Sequence, residues 1–390
     1  MNDHLRHVEP DQEQRTTPLE LFFDLVFVFA ITQISSFLFH HLDLEGAVRS
    51  VLLLFAVWWG WIYTTWMTNW FDPDHPTVRA VLIVLMLAVL CMAIALPEAF
   101  GARGLMFAVS YVLLQGIRNV FVSVSMWRAG GTQVRSFVPL TAWGFFAGIF
   151  WIAGGLSEDS TRAILWVIAL AVELTAPAVR YWLPGSGSVP MSAFAIDGAH
   201  FAERCQLFVI IALGESIVVT GATAAPQKMS ASLLAAITVA FLTAAALWWL
   251  YFDYVAEVST KFLANAEESA KLARDAYTYV HIVIVAGIIV TAVGAEELLA
   301  NPGERLDTAL VVAICAGPVL YLLGHIGFRR TMVGSWSWRR IATAAAIVLV
   351  GLVAHSLPAL AIGTLVLVCL ITLAATELTT PQRLHEQGLL

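Results

Sequence analysis

Charge is scarce in this chain. Asp, Glu, Lys and Arg make up 13% of its 390 residues, about half of the roughly 25% found in soluble domains. A water-soluble fold of this length could not cover its surface with so little charge, and hydrophobic residues supply 59% of the chain. The net charge of −7 offers no basic patch for nucleic acid. Cysteine is scarce as well. Cys91, Cys205, Cys315 and Cys369 stand singly in apolar stretches, which fits neither a disulfide framework nor a zinc site. They read as small apolar fillers. Catalytic signatures are missing: no H-E-x-x-H, P-loop, G-x-S-x-G or C-x-x-C occurs. No enzyme, cofactor or metal is therefore expected. The polar N-terminal stretch lacks the short apolar core of a secretory signal, so the first apolar run is read as a retained helix.

Long apolar runs are abundant, each near the roughly 20 residues needed to cross hydrocarbon. They predict an all-α integral membrane protein of about twelve transmembrane helices. The expected spans are Leu19–His40, Ala47–Trp70, Val78–Leu96, Gly104–Trp127, Val138–Gly155 and Arg162–Trp182. After PGSGSVP (Pro184–Pro190) follow Ala199–Ala222, Ser230–Ala256, Ala276–Leu299, Leu306–Phe328, Arg340–His355 and Ala359–Thr376. Leu357-Pro358 leaves a very short turn, so the last two could instead form a hairpin. The stretch AEVSTKFLANAEESAKLARD (Ala256–Asp275) is amphipathic and suits a helix lying on the membrane surface.

Fourteen Lys and Arg fall on the side holding both termini and five on the other (Arg49, Arg103, Arg162, Lys228 and Arg305). That bias puts both termini in the cytoplasm. The halves look like tandem repeats. LELFFDLVFVFAITQIS (Leu19–Ser35) aligns without gaps on FAERCQLFVIIALGESI (Phe201–Ile217), pairing Asp24 with Gln206 and Gln33 with Glu215. The next spans share Trp58-Trp59 and Trp248-Trp249, and the third end on Glu98 and Glu296. The expected organisation is a cytoplasmic segment 1–18, a six-helix repeat 19–183, a linker 184–198, a second repeat 199–377 and a cytoplasmic tail 378–390.

Ionisable groups inside spans are the candidate site residues, because a charge in hydrocarbon is costly. Glu20 and Asp24 share a face of the first span. They are either an acidic helix start at headgroup level or a site facing protein or water. His200, Glu203 and Arg204 fall within two turns of the seventh span, and Glu215 lies about three turns further along the Arg204 face. Glu215 is the leading candidate for an ion or proton site, against a structural salt bridge. Gln115, Arg118 and Asn119 cluster on one face of the fourth span, and Arg118 needs a carboxylate from elsewhere. Glu173, four residues before Pro177, is one partner to consider. His281, His325 and His355 read either as polar helix contacts or as a proton relay. Most of the 14 tryptophans read as interfacial anchors. In WWGWIYTTWMTNW (Trp58–Trp70) the competing reading is an aromatic cavity.

Glu20–Ser35 (ELFFDLVFVFAITQIS) together with Glu203–Val218 (ERCQLFVIIALGESIV) resembles the bacterial low temperature requirement A family, over most of residues 15–380. The matching positions are Glu20, Phe23, Asp24, Glu203, Arg204, Gly214 and Glu215. The family's name implies a link to growth in the cold; the expected location is the bacterial plasma membrane. Phe22–Thr32 is also similar to the F-S-D-x-V-F-x-x-A-I-T first helix of lysosomal and bacterial potassium channels, where that helix lines the pore. Here Phe23 replaces the motif serine, Pro18 stands where an arginine is expected, and the second half lacks the motif.

The expectation is a secondary transporter or ion channel. Asp24 and Glu215, with Glu20 and Glu203, would bind an ion or solute. Arg118 and Arg204 would balance charge, and His281 and His325 would form a relay. The alternative is a non-transporting protein of lipid handling or envelope adaptation to cold. The expected partners are membrane lipids and a small ion or solute, with a homodimer left open.

Overall fold

A computed structural model describes residues 5–6, 15–128, 134–185, 187–252, 263, 269–353 and 356–378. Among them the fold is all-α, with only isolated β-bridges between helices and turns. Eleven helices among the described residues are long and apolar enough to span a membrane. In chain order these are α1 (Pro18–His40), α2 (Leu44–Trp70), α3 (Pro76–Ala95), α4 (Gly104–Arg128), α5 (Val134–Leu156), α6 (Asp159–Ala178), α7 (Gly198–Ala224), α8 (Ala231–Phe252), α9 (Ser269–Ala300), α10 (Thr308–Val333) and α12 (Ala359–Glu377). Between the last two lies α11 (Trp338–Val353), 16 residues that run to the edge of the described range. The expected eleventh span, Arg340–His355, corresponds to α11. His355, the tail 379–390 and most of the amphipathic stretch Ala256–Asp275 lie outside the described residues. The last part of that stretch, Ser269–Asp275, belongs to the start of α9.

The chain divides into two compact units. The first comprises α1 to Phe37, α2 to α6, the start of α7 to Arg204, and residues up to Arg274. Its helices turn apolar side chains outward and polar ones inward, the reverse of a soluble bundle. Phe22, Leu25, Leu87 and Phe145 are exposed, while Thr64, Thr65, Thr68 and Asn69 are buried. The buried threonines return their hydroxyl protons to carbonyls of their own helix, as Thr64 does to Gly60 O at 2.8 Å, so the polar groups are satisfied without water. Arg162 closes the far ends of α3 and α5. Its guanidinium donates to the carbonyls of Ala99 (3.0 Å), Gly101 (2.7 Å) and Ser157 (2.8 Å), carbonyls that the ended helices leave open.

Two non-glycine residues in the left-handed region stop α6. After Pro177, Arg180 (φ 53°) and Tyr181 (φ 50°) turn the chain back, and Tyr181 N–H donates to Ala176 O at 2.7 Å. Each such residue costs on the order of 1 kcal/mol. The turn buries Tyr181 with its hydroxyl 2.5 Å from that of Tyr63 on α2.

The second unit holds the rest of α7, α8 and α10 to α12, with α9 from Asp275. Its tightest seam joins α9 and α10. An added Cβ at Gly294 would come within 2.8 Å of Ile314 Cα, and one at Gly324 within 2.7 Å of Ile284 N. At Gly287 and Gly317 it would meet the backbones of Tyr321 and Thr291. Backbones pressed this close associate by van der Waals packing, the force left to helices in lipid. Arg340 on α11 bonds Glu377 at 2.8 Å and Leu250 O at 3.0 Å, tying together α8, α11 and α12. Asp307 caps α10 through the Leu310 N–H (3.2 Å), and Gly334 (φ 74°) ends it.

Candidate functional site

Glu20, Asp24, His200 and Arg204 come together inside the first unit, all essentially without exposed surface. Arg204, on the second turn of α7, places Nη2 2.5 Å from Asp24 Oδ1 and Nη1 3.1 Å from Glu20 Oε1. One guanidinium thus bridges the two carboxylates that the four-residue spacing puts on one face of α1. Trp61 of α2 donates its indole N–H to the same Asp24 oxygen at 2.8 Å. Glu20 is held more fully. Its Oε2 accepts from Thr17 N–H (2.9 Å), Thr17 Oγ1 (3.0 Å) and Arg6 Nη2 (3.2 Å). Arg6 is brought there by the chain beside it, since Leu5 bridges to Phe71 and Arg6 N–H donates to Trp70 O at 3.0 Å.

The tautomer of His200 follows from its neighbours. Asn69 Oδ1 accepts from Asp197 N–H at 2.8 Å, which fixes the amide's orientation. Asn69 Nδ2 then donates to Asp197 O (2.9 Å) and to His200 Nδ1 (3.1 Å). With Nδ1 accepting, the ring proton sits on Nε2, 3.1 Å from Glu20 Oε1. Asp24 has no such wealth of donors. Among the described residues its Oδ2 has no hydrogen-bond partner, nor has Arg204 Nε. Glu203 is set differently: half-buried, it accepts from Thr16 N–H at 3.2 Å.

Arg118 of α4 forms no ion pair within the described residues. Its guanidinium bonds Asn119 Oδ1 (3.0 and 3.3 Å) and Gly60 O (3.3 Å), with its carbon 5.0 Å from the centre of the Tyr63 ring. Glu173 lines the same hollow as Arg118, where its Oε2 accepts from Tyr111 at 2.6 Å.

In the second unit Glu215 is buried on α7. His281 receives or gives a bond to Tyr251 at 2.9 Å, directly after a π-helical stretch, Ala273–Val280. His325 lies against the rings of Tyr321 (4.4 Å between centres) and Tyr251 (5.5 Å), and neither of its ring nitrogens has a hydrogen-bond partner among the described residues. Tyr251 therefore touches both histidines but hydrogen-bonds one.

Sequence reading missed Trp61, Arg6 and Asn69. Trp61 lay in the Trp58–Trp70 run, mostly assigned to interfacial anchoring. Trp58, Trp59 and Trp61 are buried instead, whereas the aligned Trp248 and Trp249 are exposed. A tryptophan spaced three residues from another on an otherwise buried helix is the signal that could have separated the two cases.

Residues 15–375 match the profile of the family described as bacterial low temperature requirement A protein. The chain belongs to this family. It is also 41% identical over 329 residues to an uncharacterized protein of Rhizobium meliloti, covering 84% of this chain and 80% of that one. No solved structure matches it. Its membership and its spans together make it a multi-pass membrane protein of a bacterial family. Both halves of the Glu20–Arg204 network fall inside the matched range.

Proposed function

We propose that this protein moves a small ion or solute across the bacterial plasma membrane, as a secondary transporter or channel whose buried carboxylates take part in binding. The observation that carries the reading is the buried set Glu20, Arg204 and Asp24, with Arg204 3.1 Å from Glu20 and 2.5 Å from Asp24 inside membrane spans. Ionised groups are costly in hydrocarbon, and helices that only anchored the chain would be as stable with apolar residues of similar volume. The unpartnered Asp24 Oδ2 gives a cation or proton a place to compete with Arg204.

In this reading Asp24 and Glu215 take the cation or proton, and Glu20 and Glu203 support them. Arg204 and Arg118 balance charge, and His281 with His325 passes protons. The excess of Lys and Arg on one side supports cytoplasmic termini. The recurrence of three motifs in order supports two tandem six-helix halves.

The test is flux of H⁺, K⁺ and Na⁺ in liposomes carrying the purified protein. Asp24→Asn and Glu215→Gln should each reduce it sharply. Unchanged flux in both variants would remove these residues from the pathway. No flux of any ion or solute tried would remove the transport class and leave a role with lipid or in cold adaptation of the envelope.

A further inference from the structure

Glu173 is held differently from Glu20. It lies on α6 within a span and is 6% exposed. An ionised carboxylate there is costly unless something compensates it. Glu20 is compensated by groups that can only donate: the guanidinium of Arg6, that of Arg204 and the backbone N–H of Thr17. Such partners suit the ionised form alone. Glu173 Oε2 accepts instead from the Tyr111 hydroxyl of α4, at 2.6 Å. A hydroxyl can donate or accept.

The chain of bonds continues. Gln115 Nε2 donates to Tyr111 Oη at 2.7 Å, which leaves the single Tyr111 proton for Glu173. Gln115 and Tyr111 share one face of α4, and both are buried. Among the described residues the amide's Oε1 has no hydrogen-bond partner. Gln115, Glu173 and Arg118 line a common hollow with free space of about 20 Å³, room for about one or two water molecules. The charged and titratable groups around Glu173 come from three places. α4 brings Arg118 and Tyr111, α2 brings Tyr63, and Tyr181 follows α6. The residues that α5 adds to the hollow, Leu140, Trp143 and Gly144, carry no charge. Arg118 is the fixed positive charge of the set, and its hydrogen bonds go to Asn119 and Gly60.

Carboxyl, hydroxyl and amide can each reverse their part in such a chain. We propose that Glu173 binds a proton and that the chain reverses when it does. In the ionised state Gln115 donates to Tyr111, and Tyr111 donates to Glu173. A proton added to Glu173 Oε2 makes that oxygen a donor to Tyr111 Oη. The Tyr111 proton then turns to Gln115, whose amide rotates half a turn so that Oε1 accepts it. No covalent bond other than the new O–H is made or broken; one proton is gained and one negative charge is lost. The turned amide presents Nε2 where Oε1 now stands, and a water in the hollow can donate to the one or accept from the other. Each state has its own advantage. The ionised state balances the charge of Arg118, and the protonated state relieves the span of a carboxylate. This proton site does not rest on the transport reading above; coupling of its proton to flux would.

Infrared difference spectra of the full chain in nanodiscs, taken from acid to mildly alkaline pH, test this. Protonation should bring up a carboxyl C=O band together with changes in a tyrosine ring mode and a side-chain amide band. Glu173→Gln should abolish all three. Tyr111→Phe should keep the carboxyl band at a changed frequency and lose the tyrosine and amide components. Gln115→Leu should lose the amide component. Thermal melts followed by tryptophan fluorescence verify folding in each variant, and if Glu173→Gln does not fold, the other two carry the test. Difference spectra unchanged by Glu173→Gln overturn the proposal. So does a Glu173 carboxyl band that rises with no amide component, or an amide component that survives Gln115→Leu. The Glu173 signal in a chain without flux upholds this site and removes transport. Flux without that signal does the opposite.

Discussion

Replacing Arg204 with methionine removes a buried guanidinium of similar length and leaves two carboxylates behind. The structure predicts an uneven loss. Glu20 keeps Arg6, two bonds from Thr17 and the His200 ring, whereas Asp24 keeps only Trp61. Leaving a buried charge without its partner costs about 3–5 kcal/mol, and here most of that falls on Asp24. Asp24→Asn in the same chain should therefore recover part of the loss. The coupling between the two changes should reach at least about 1.5 kcal/mol, within the range measured for contacting residues. The assay is reversible denaturation of the purified protein in micelles, followed by tryptophan fluorescence and far-UV circular dichroism, for both single variants and the double variant. Losses that add within about 0.5 kcal/mol would show that the 2.5 Å contact between Arg204 and Asp24 carries no special energy, and the reasoning would fail.

Trp61→Phe keeps the ring and removes the N–H donated to Asp24. It should cost about 1.5–3 kcal/mol, the worth of a bond to a charged group, in the same assay; a loss below about 0.5 kcal/mol would exclude the bond. Gly317→Val drives a Cβ into the Thr291 backbone and should lower stability by about 1–3 kcal/mol or more. Gly116→Ala, with open space around it, should leave the melting temperature in place. Equal melting of the two would contradict the α9–α10 seam.

Much of the fold was legible because hydropathy acts locally. The expected spans Gly104–Trp127 and Ala359–Thr376 differ from α4 and α12 by one residue at one end, since the bilayer demands apolar length and the loops break it. The demand for partners was legible too: a buried Asp24 and a buried Arg204 each require one. That they choose each other was not, because the residues lie far apart in sequence and helix packing decides their meeting. Arg118 teaches the converse. Its face with Gln115 and Asn119 could be read from spacing, but a carboxylate was expected on it, and Glu173 stands across a hollow instead. The position of Tyr181 depends on left-handed backbone at two non-glycine residues, which no composition announces.

Along Arg6, Glu20, Arg204 and Asp24 positive and negative groups alternate, and their formal charges cancel. A proton or monovalent cation arriving at Asp24 alone would leave one uncompensated positive charge in a region of low dielectric, at a cost of several kcal/mol. Arrival is thereby tied to the departure of another cation or to the company of an anion. Under the proposed transport reading, passage through this quartet is electroneutral, so its rate should not respond to an imposed membrane potential, and a strongly potential-driven flux would have to run by another route.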